Sequence, residues 1–319
     1  MSQHVIVTGG GGYIGGQVAL MLVDAGHRVT VIDRAECPDH LAGVDLTYEC
    51  LDFDSSSAHR VILMSAPDAI IHCAGTSLVG PSMTNPQDYY HNNVVKTQRL
   101  IDFVKQALPT TRIIFSSSAA VYGEPVMTPC HEVDPCDPIS PYGRSKLAIE
   151  WMLRDYHAAY GLDYVAFRFF NACGADSGTR HGQAPGATHI IARVLESVKD
   201  QRPFTLYGVD YPTADGTCVR DYVHVEDIAR AHLAALDRSV PAGVYNLGSA
   251  QGTSNRQIIA AVTQLTGRAV DVQLGQARAG DPPVLTASSA QFDGVCPSWR
   301  QYNLDHMIQH AWKWYNQSA

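Results

Sequence analysis

The stretch "VTGGGGYIGGQVAL" (Val7–Leu20) decides the fold of this 319-residue chain. The apolar run His4–Thr8 leads into it and a helical pattern near Ile14–Ala25 leads out. Gly9, Gly12 and Gly15 give GxxGxxG, and Gly10, Gly12 and Gly15 also give GxGxxG. A strand, a glycine turn and a helix in that order predict the opening of a βαβ unit. Its backbone can approach a pyrophosphate closely, at a helix N-terminus whose N–H groups attract anions. Gly9, Gly12, Tyr13, Ile14 and Gly15 are therefore candidate dinucleotide-binding residues. The second strand, Arg28–Asp33, ends on an acid placed to accept hydrogen bonds from the adenosine ribose. Asp33 would repel a 2′-phosphate, which favours NAD; Arg34 beside it could accommodate one and keeps NADP open.

Working outward, strand-like runs at Leu46–Leu51, Ala69–Cys73, Arg112–Ser116 and Tyr164–Phe169 alternate with helical segments. The helices fall near Ser56–Met64, Pro86–Ala107 and Pro141–Tyr160. Such alternation predicts an α/β fold, a Rossmann-type doubly wound parallel sheet with helices on both faces. After Asn171 the pattern loosens into "GADSGTRHGQAPGATH" and shorter pieces such as "FTLYG", "VRDYVHV", "GVYNLG" and "VDVQLG", with a helix near Asn303–Asn316. The expected division is a dinucleotide-binding domain over 1–171, with segments near 219–248 returning to its sheet, and a smaller α/β substrate-binding lobe over 172–319.

Ligands of such a sheet bind beyond the carboxyl ends of the strands. That places Asp52 and Phe53, then Cys73, Ala74 and Gly75 of "HCAG", Ser116 and Phe169 at the cofactor; Asn93, in "YYHNNV" within a helical segment, is a further candidate cofactor residue. The fifth strand ends in three serines, Ser116–Ser118. One loop later comes "SPYGRSKLAIE" (Ser140–Glu150), with Ser140 suited to cap a helix and Pro141 to its first position. Tyr142 and Lys146 stand four apart, so phenol and ammonium share one helix face. Bringing a phenol from ~10 to ~7 takes ~4 kcal/mol, about what one charge at ~4 Å supplies at an effective dielectric of ~20. Lys146 and the cationic ring of NAD+ are expected to share that contribution, with Tyr142 as general base and Ser118 relaying the proton.

Composition narrows the partners. A net charge of −8 without a lysine-rich run argues against nucleic acid. No apolar run reaches the ~20 residues of a membrane helix, and nothing resembles a secretory leader, so a cytoplasmic protein is expected. The eight cysteines contain no CxxC pair and are expected to be reduced. The fourteen histidines are read as scattered surface or supporting residues, and no metal site is expected.

Taken together, "VTGGGGYIGG", "YYHNNV", "FSSSAAVYGE", "SPYGRSKLAIE", "FRFFNACGAD", "LYGVDYPTADGTCVRDYVHVEDIARAH", "YNLGSAQG" and "RAGDPP" resemble the extended short-chain dehydrogenase/reductase family. "DYPTADGTCVRDYVHV" is most similar to its members that epimerise UDP-hexoses at C4. The resemblance covers nearly the whole chain. It implies NAD as cofactor, a UDP-sugar as substrate and a homodimer paired through helices near Pro86–Ala107 and Pro141–Tyr160. It also implies that Arg220 and Arg278 bind the diphosphate, Tyr207 stacks on uracil and Asn171 bonds a phosphate or sugar oxygen. By the same resemblance Asp281 contacts the uridine ribose, His189 lies near the nucleotide, and Leu285 meets the C2 substituent of the sugar. Plainer roles are open as well: an Arg220–Asp221 ion pair, and Tyr207 or Leu285 as core residues. Ser77 stands where the best-known branch has a lysine, which removes one cofactor contact. Other enzymes of this type act on UDP-pentoses or UDP-uronates, or are dehydratases. Dehydratases place acids after the fifth strand, where this chain has Ala119 and Ala120. A non-catalytic NAD-binding protein would not need Ser118, Tyr142 and Lys146 together.

Overall fold

The computed structural model describes residues 2–277 and 282–317. The chain forms two compact units. The first comprises Met1–Gly123, Pro135–Arg168 and Ala229–Tyr245; the second comprises Glu124–Asp134, Phe169–Ile228 and Asn246–Ala319.

The first unit is built on a seven-stranded sheet. Its strands are β1 (His4–Thr8), β2 (Arg28–Asp33), β3 (Thr47–Cys50), β4 (Ala69–His72), β5 (Arg112–Ser116), β6 (Tyr164–Phe169) and, much later in the chain, β10 (Gly243–Leu247). The order is β3-β2-β1-β4-β5-β6-β10, and every pairing from β3 to β6 is parallel. The chain thus reverses direction of travel between β1 and β4, which makes the crevice where ligands of doubly wound sheets bind. Strands β1 and β5 are buried at every residue, as sheets covered on both faces require. Ile6, Ile32, Ile70, Ile113 and Phe115 pack with Leu100, Val104, Ile149 and Leu153 from the covering helices.

Two expectations are corrected here. The helix over 86–107 is not continuous: Pro86–Tyr89 and Lys96–Ala107 are α-helical, and Tyr90–Val95 between them is a π-helical turn. Its wider winding carries Asn93 into the interior, where both ends of the amide find partners. The return to the first sheet is also narrower than 219–248. Val219–His224 forms β9 of a different sheet, and Gly243–Leu247 alone supplies the returning strand. The difference lies in side-chain pattern: β9 is only half-buried at its first two residues, whereas a central strand of the parallel sheet is buried throughout.

In the second unit β9 is the centre. β11 (Gly252–Ser254) pairs with it antiparallel, while β13 (Val284–Leu285) and β7 (Asn171–Cys173) pair with it parallel. A separate parallel pair joins β8 (Phe204–Tyr207) to β12 (Val272–Gly275). Helices Ile190–Asp200, Asn255–Thr266 and Leu304–Gln317 close the core through Val194, Leu195, Ile258, Val262 and Ile308. The middle helix starts with a reciprocal Ser254–Gln257 capping box, a signal present in the sequence.

The histidines are not all scattered. His306 and His310 stand one turn apart, and His310 Nδ1 lies 3.0 Å from His224 Nε2, with Tyr302 packed on all three rings. Among the described residues no group of His, Cys, Asp and Glu could hold a metal ion, and all eight cysteines are free thiols. No described helix is long and apolar enough to cross a membrane.

His72, at the end of β4, bridges Thr8 Oγ1 at 2.6 Å and Thr97 Oγ1 at 2.8 Å. Burial, with repulsion from Lys146, drives its pKa down to about 3. The folded state therefore holds it neutral while the unfolded chain protonates it near 6.5. Its stabilising contribution is complete above that value and is lost progressively as the pH falls towards 3, at up to ~1.4 kcal/mol per pH unit. Urea unfolding at pH 7 and pH 5 should show this loss in the wild type and a smaller one in His72→Gln. Identical pH dependences would remove His72 as the cause.

Candidate active site

The glycine turn has the shape its sequence suggests. A Cβ on Gly15 would stand 2.3 Å from the Gly9 carbonyl oxygen, and one on Gly9, whose φ is +73°, only 2.6 Å from the Ala74 nitrogen. The helix Tyr13–Asp24 begins at Gly12 with no side-chain cap, so its first N–H groups face the turn. Asp33 accepts from the amides of Gly11 and Ala35, each at 3.0 Å, and a carboxylate so placed has lone pairs left for ribose hydroxyls. Arg34 follows on the surface. Asp52 is ion-paired with Lys96 and also accepts from the Asp54 amide, which together hold its carboxyl below the ordinary range despite burial. Phe53 is buried edge-on against His72. These residues fit a dinucleotide: a glycine cradle, a free helix start and a ribose acceptor lie together at the β1–β4 crevice.

Cys73, Ala74 and Gly75 follow β4. Asn93 braces this segment, accepting from the Thr76 amide at 2.7 Å and donating to the Thr76 carbonyl at 3.0 Å and Ser145 Oγ at 2.9 Å. A Cβ on Gly75 would meet Asn93 Oδ1. Asn93 thus braces the loop after β4 through both ends of its amide. Tyr89 was not singled out from sequence, yet its hydroxyl donates to the carbonyls of Ser77 and Leu78 at 2.6 and 2.7 Å. Its ring stands edge-on to Tyr142, centroids 6.2 Å apart. Leu78 has a φ of +82°, a strained conformation for a branched residue that the Tyr89 contacts hold in place.

Tyr142 and Lys146 lie on the helix Pro141–Tyr160, capped by Ser140, whose hydroxyl accepts from the Gly143 amide. Ser118 caps the short turn Ala119–Val121, and its side chain acts to lower the Tyr142 phenol. Lys146 Nζ donates to the Ser116 carbonyl at 2.8 Å and lies 4.8 Å over the Phe115 ring. Its distance to the Tyr142 ring centroid is 5.9 Å. Burial holds Tyr142 above its ordinary value, the Ser118 side chain works against that, and Tyr89 adds to it. The lysine itself is lowered to about 8 by burial, opposed by Cys73 and Glu150. Ser116 Oγ lies 3.1 Å from both Cys73 Sγ and His232 Nε2, so its side chain is tied down as well.

The second unit carries the other expected contacts. Tyr207, at the end of β8, is exposed and its ring lies over Gly275 of β12, which offers a flat face rather than a core position. Arg220, half-buried on β9, donates to the carbonyl of Val219 at 2.8 Å. It does not pair with Asp221, because neighbouring strand residues point to opposite faces. Asp221 is buried and accepts from the amides of Ser249, Ala250 and Ala287 and the hydroxyl of Ser249. Asn171, on β7, donates to the Asp221 carbonyl at 3.0 Å. Leu285 lies on β13 opposite Arg220. His189 is exposed at the start of the helix Ile190–Asp200. Arg278 and Asp281 lie outside the described residues. Phe169 is the half-buried last residue of β6.

A doubly wound sheet with a glycine cradle, a ribose acid and a Ser–Tyr–Lys group defines a dinucleotide-dependent enzyme of the dehydrogenase/epimerase type. The chain belongs to the NAD dependent epimerase/dehydratase family, whose model matches residues 5–248. It is 39% identical to the UDP-glucose 4-epimerase of Halalkalibacterium halodurans, over 98% of this chain and 96% of that one. Among solved structures it resembles UDP-glucose 4-epimerase from Brucella ovis in complex with NAD, with a TM-score of 0.91, 39% identity and 98% of each chain covered. It is also similar to the enzyme from Bifidobacterium longum in complex with NAD+ and UDP, with a TM-score of 0.90, 31% identity and 98% of each chain covered.

Proposed function

We propose that the chain catalyses the NAD-dependent 4-epimerisation of a UDP-hexose, interconverting UDP-glucose and UDP-galactose. The observation that carries this reading is the placement of Tyr142 on the helix whose Lys146 is fixed to the Ser116 carbonyl, beside the Ser118 turn and in the unit that holds the glycine cradle. Bound NAD supplies the two-electron acceptor at C4 and a positive ring charge that favours the phenolate. Tyr142 Oη takes the 4-hydroxyl proton as C4 is oxidised and returns it after the 4-keto sugar has turned over. Ser118 orients the phenol, and Lys146 supports the strand end on which Ser118 stands. The residues after β5 argue against a dehydratase: Ala119 and Ala120 offer no carboxylate. Arg220 and Arg278 would bind the diphosphate, Tyr207 would stack on uracil, Asp281 and Asn171 would bond ribose and phosphate or sugar oxygens, and His189 would lie near the nucleotide. A cytoplasmic homodimer is proposed with this activity. Tyr90, Trp151 and Tyr160 expose apolar rings on the two helical segments that would pair.

Purified protein should release NAD on denaturation and convert UDP-glucose to UDP-galactose. Tyr142→Phe should keep the fold and bound NAD while turnover drops by ~10²–10⁴-fold; near-normal turnover would exclude Tyr142 as the base. Light scattering at micromolar concentration should give the mass of a dimer, and a monomer would count against the pairing. Leu285 would crowd a C2 acetamido group, which it cannot hydrogen-bond, so UDP-glucose and UDP-galactose should be preferred over their N-acetylated forms. Leu285→Gly should narrow the gap in kcat/KM, by about tenfold for each ~1.4 kcal/mol of crowding relieved. Equal use of both sugar pairs by the wild type would defeat this, and lost stability without a change in preference would make Leu285 a core residue.

A further inference from the structure

The face that carries Tyr142 and Lys146 continues to a third position, Glu150, buried one turn beyond. Each of these residues meets a different member of the serine run that follows β5. Ser118 acts on the Tyr142 phenol, the Ser116 carbonyl accepts from Lys146 Nζ, and Ser117 Oγ donates to Glu150 Oε1. Three consecutive residues are therefore matched to positions i, i+4 and i+8 of one helix. Arg168 on β6 closes the arrangement from behind. Its Nε lies 3.1 Å from both Glu150 oxygens, its Nη2 donates to Oε2 at 2.6 Å, and its Nη1 donates to the Tyr122 hydroxyl at 2.9 Å. Its guanidinium also lies 4.9 Å over the Tyr122 ring. Ser117 and Tyr122 flank the turn that presents Ser118, and both ends of that turn are thus tied to one carboxylate.

We infer that Glu150, through Ser117 and the Arg168–Tyr122 clamp, is a positioning residue that sets the register between the Ser118 turn and the Tyr142–Lys146 helix. The inference rests on the proposed epimerase reading for its kinetic consequence, and on geometry alone for its structural one. Packing of Ile149 and Leu153 and the Asn93–Ser145 bond hold the helix on the sheet. Lys146 and Glu150 add two directional ties to the residues that lead into the Ser118 turn, both made by groups almost wholly out of water, where hydrogen bonds are not exchanged with solvent. Glu150 adds a favourable field at Lys146, and Cys73, which also raises it, faces the ammonium from the β4 end. Tyr89, Ser118 and Lys146 face Tyr142, the last with its Nζ 5.9 Å from the ring centroid. The Ser118 side chain lowers the phenol pKa, so loosening the register should raise it.

Two variants test this in the protein as purified with its bound dinucleotide. Ser117→Ala removes the third contact and leaves the Glu150–Arg168 ion pair whole. Glu150→Gln removes the charge and keeps the shape. Each is compared with its own Tyr142→Phe double variant in a difference titration at 295 nm, which isolates the Tyr142 phenolate without any substrate. In Ser117→Ala the midpoint should move up by about one pH unit. Its kcat on UDP-glucose should fall about tenfold with KM nearly unchanged, as expected when only the acid–base geometry is disturbed. Coincident titrations in wild type and a folded Ser117→Ala would overturn the inference and leave Glu150–Arg168 as a core ion pair. If Glu150→Gln does not fold, Ser117→Ala decides alone. An inactive wild type would defeat the epimerase reading, while the titration would still decide the register.

Discussion

A buried hydrogen bond from the Lys146 ammonium to the Ser116 carbonyl ties the helix of the site to the end of β5. An amine out of water must be given fixed partners or lose its charge. Here the partner is a backbone carbonyl at a strand end, with the Phe115 ring beneath. Burial brings the lysine to about 8, which still leaves it about nine-tenths charged at pH 7. The cation therefore cannot leave Ser116 without cost. Its position fixes where Tyr142, one turn earlier, meets Ser118. The same burial that keeps the lysine in place raises the phenol above its ordinary value in the protein alone.

The first unit was legible because its signals are local. β1, β2, β5 and β6 begin and end where the apolar runs do, and the glycine turn announces the connection between the first strand and its helix. Tyr142 and Lys146 could be read from helical spacing. Glu150 was equally visible at the next interval. Its meaning depended on Arg168, 18 residues further on, and on Ser117, 33 residues earlier, and no periodicity links those. The π-helical turn was hidden because a single inserted residue per turn leaves the apolar pattern almost unchanged.

The second unit was harder to read because its elements are short and its polar residues are structural. Asp221 looked like a partner for Arg220; instead it gathers the amides of three residues drawn from two loops. That arrangement places β13, and Leu285 with it, in register with Arg220. The helix Ile190–Asp200 was masked by the glycine-rich loop before it, although its buried Ile191, Val194, Leu195 and Val198 follow helical spacing. The Ser254–Gln257 capping box is a signal that a closer reading would have caught.

The first unit draws on three separate stretches of the chain, the last ending at Tyr245. This has a consequence for the order in which the molecule can be made. When residues up to 168 have left the ribosome, β6 is still an open edge, because its neighbour β10 starts only at Gly243. An uncovered parallel edge is a template for unwanted pairing. At ~5–20 residues per second the intervening segment keeps that edge waiting for several seconds. During that interval the nascent sheet depends on whatever shields β6.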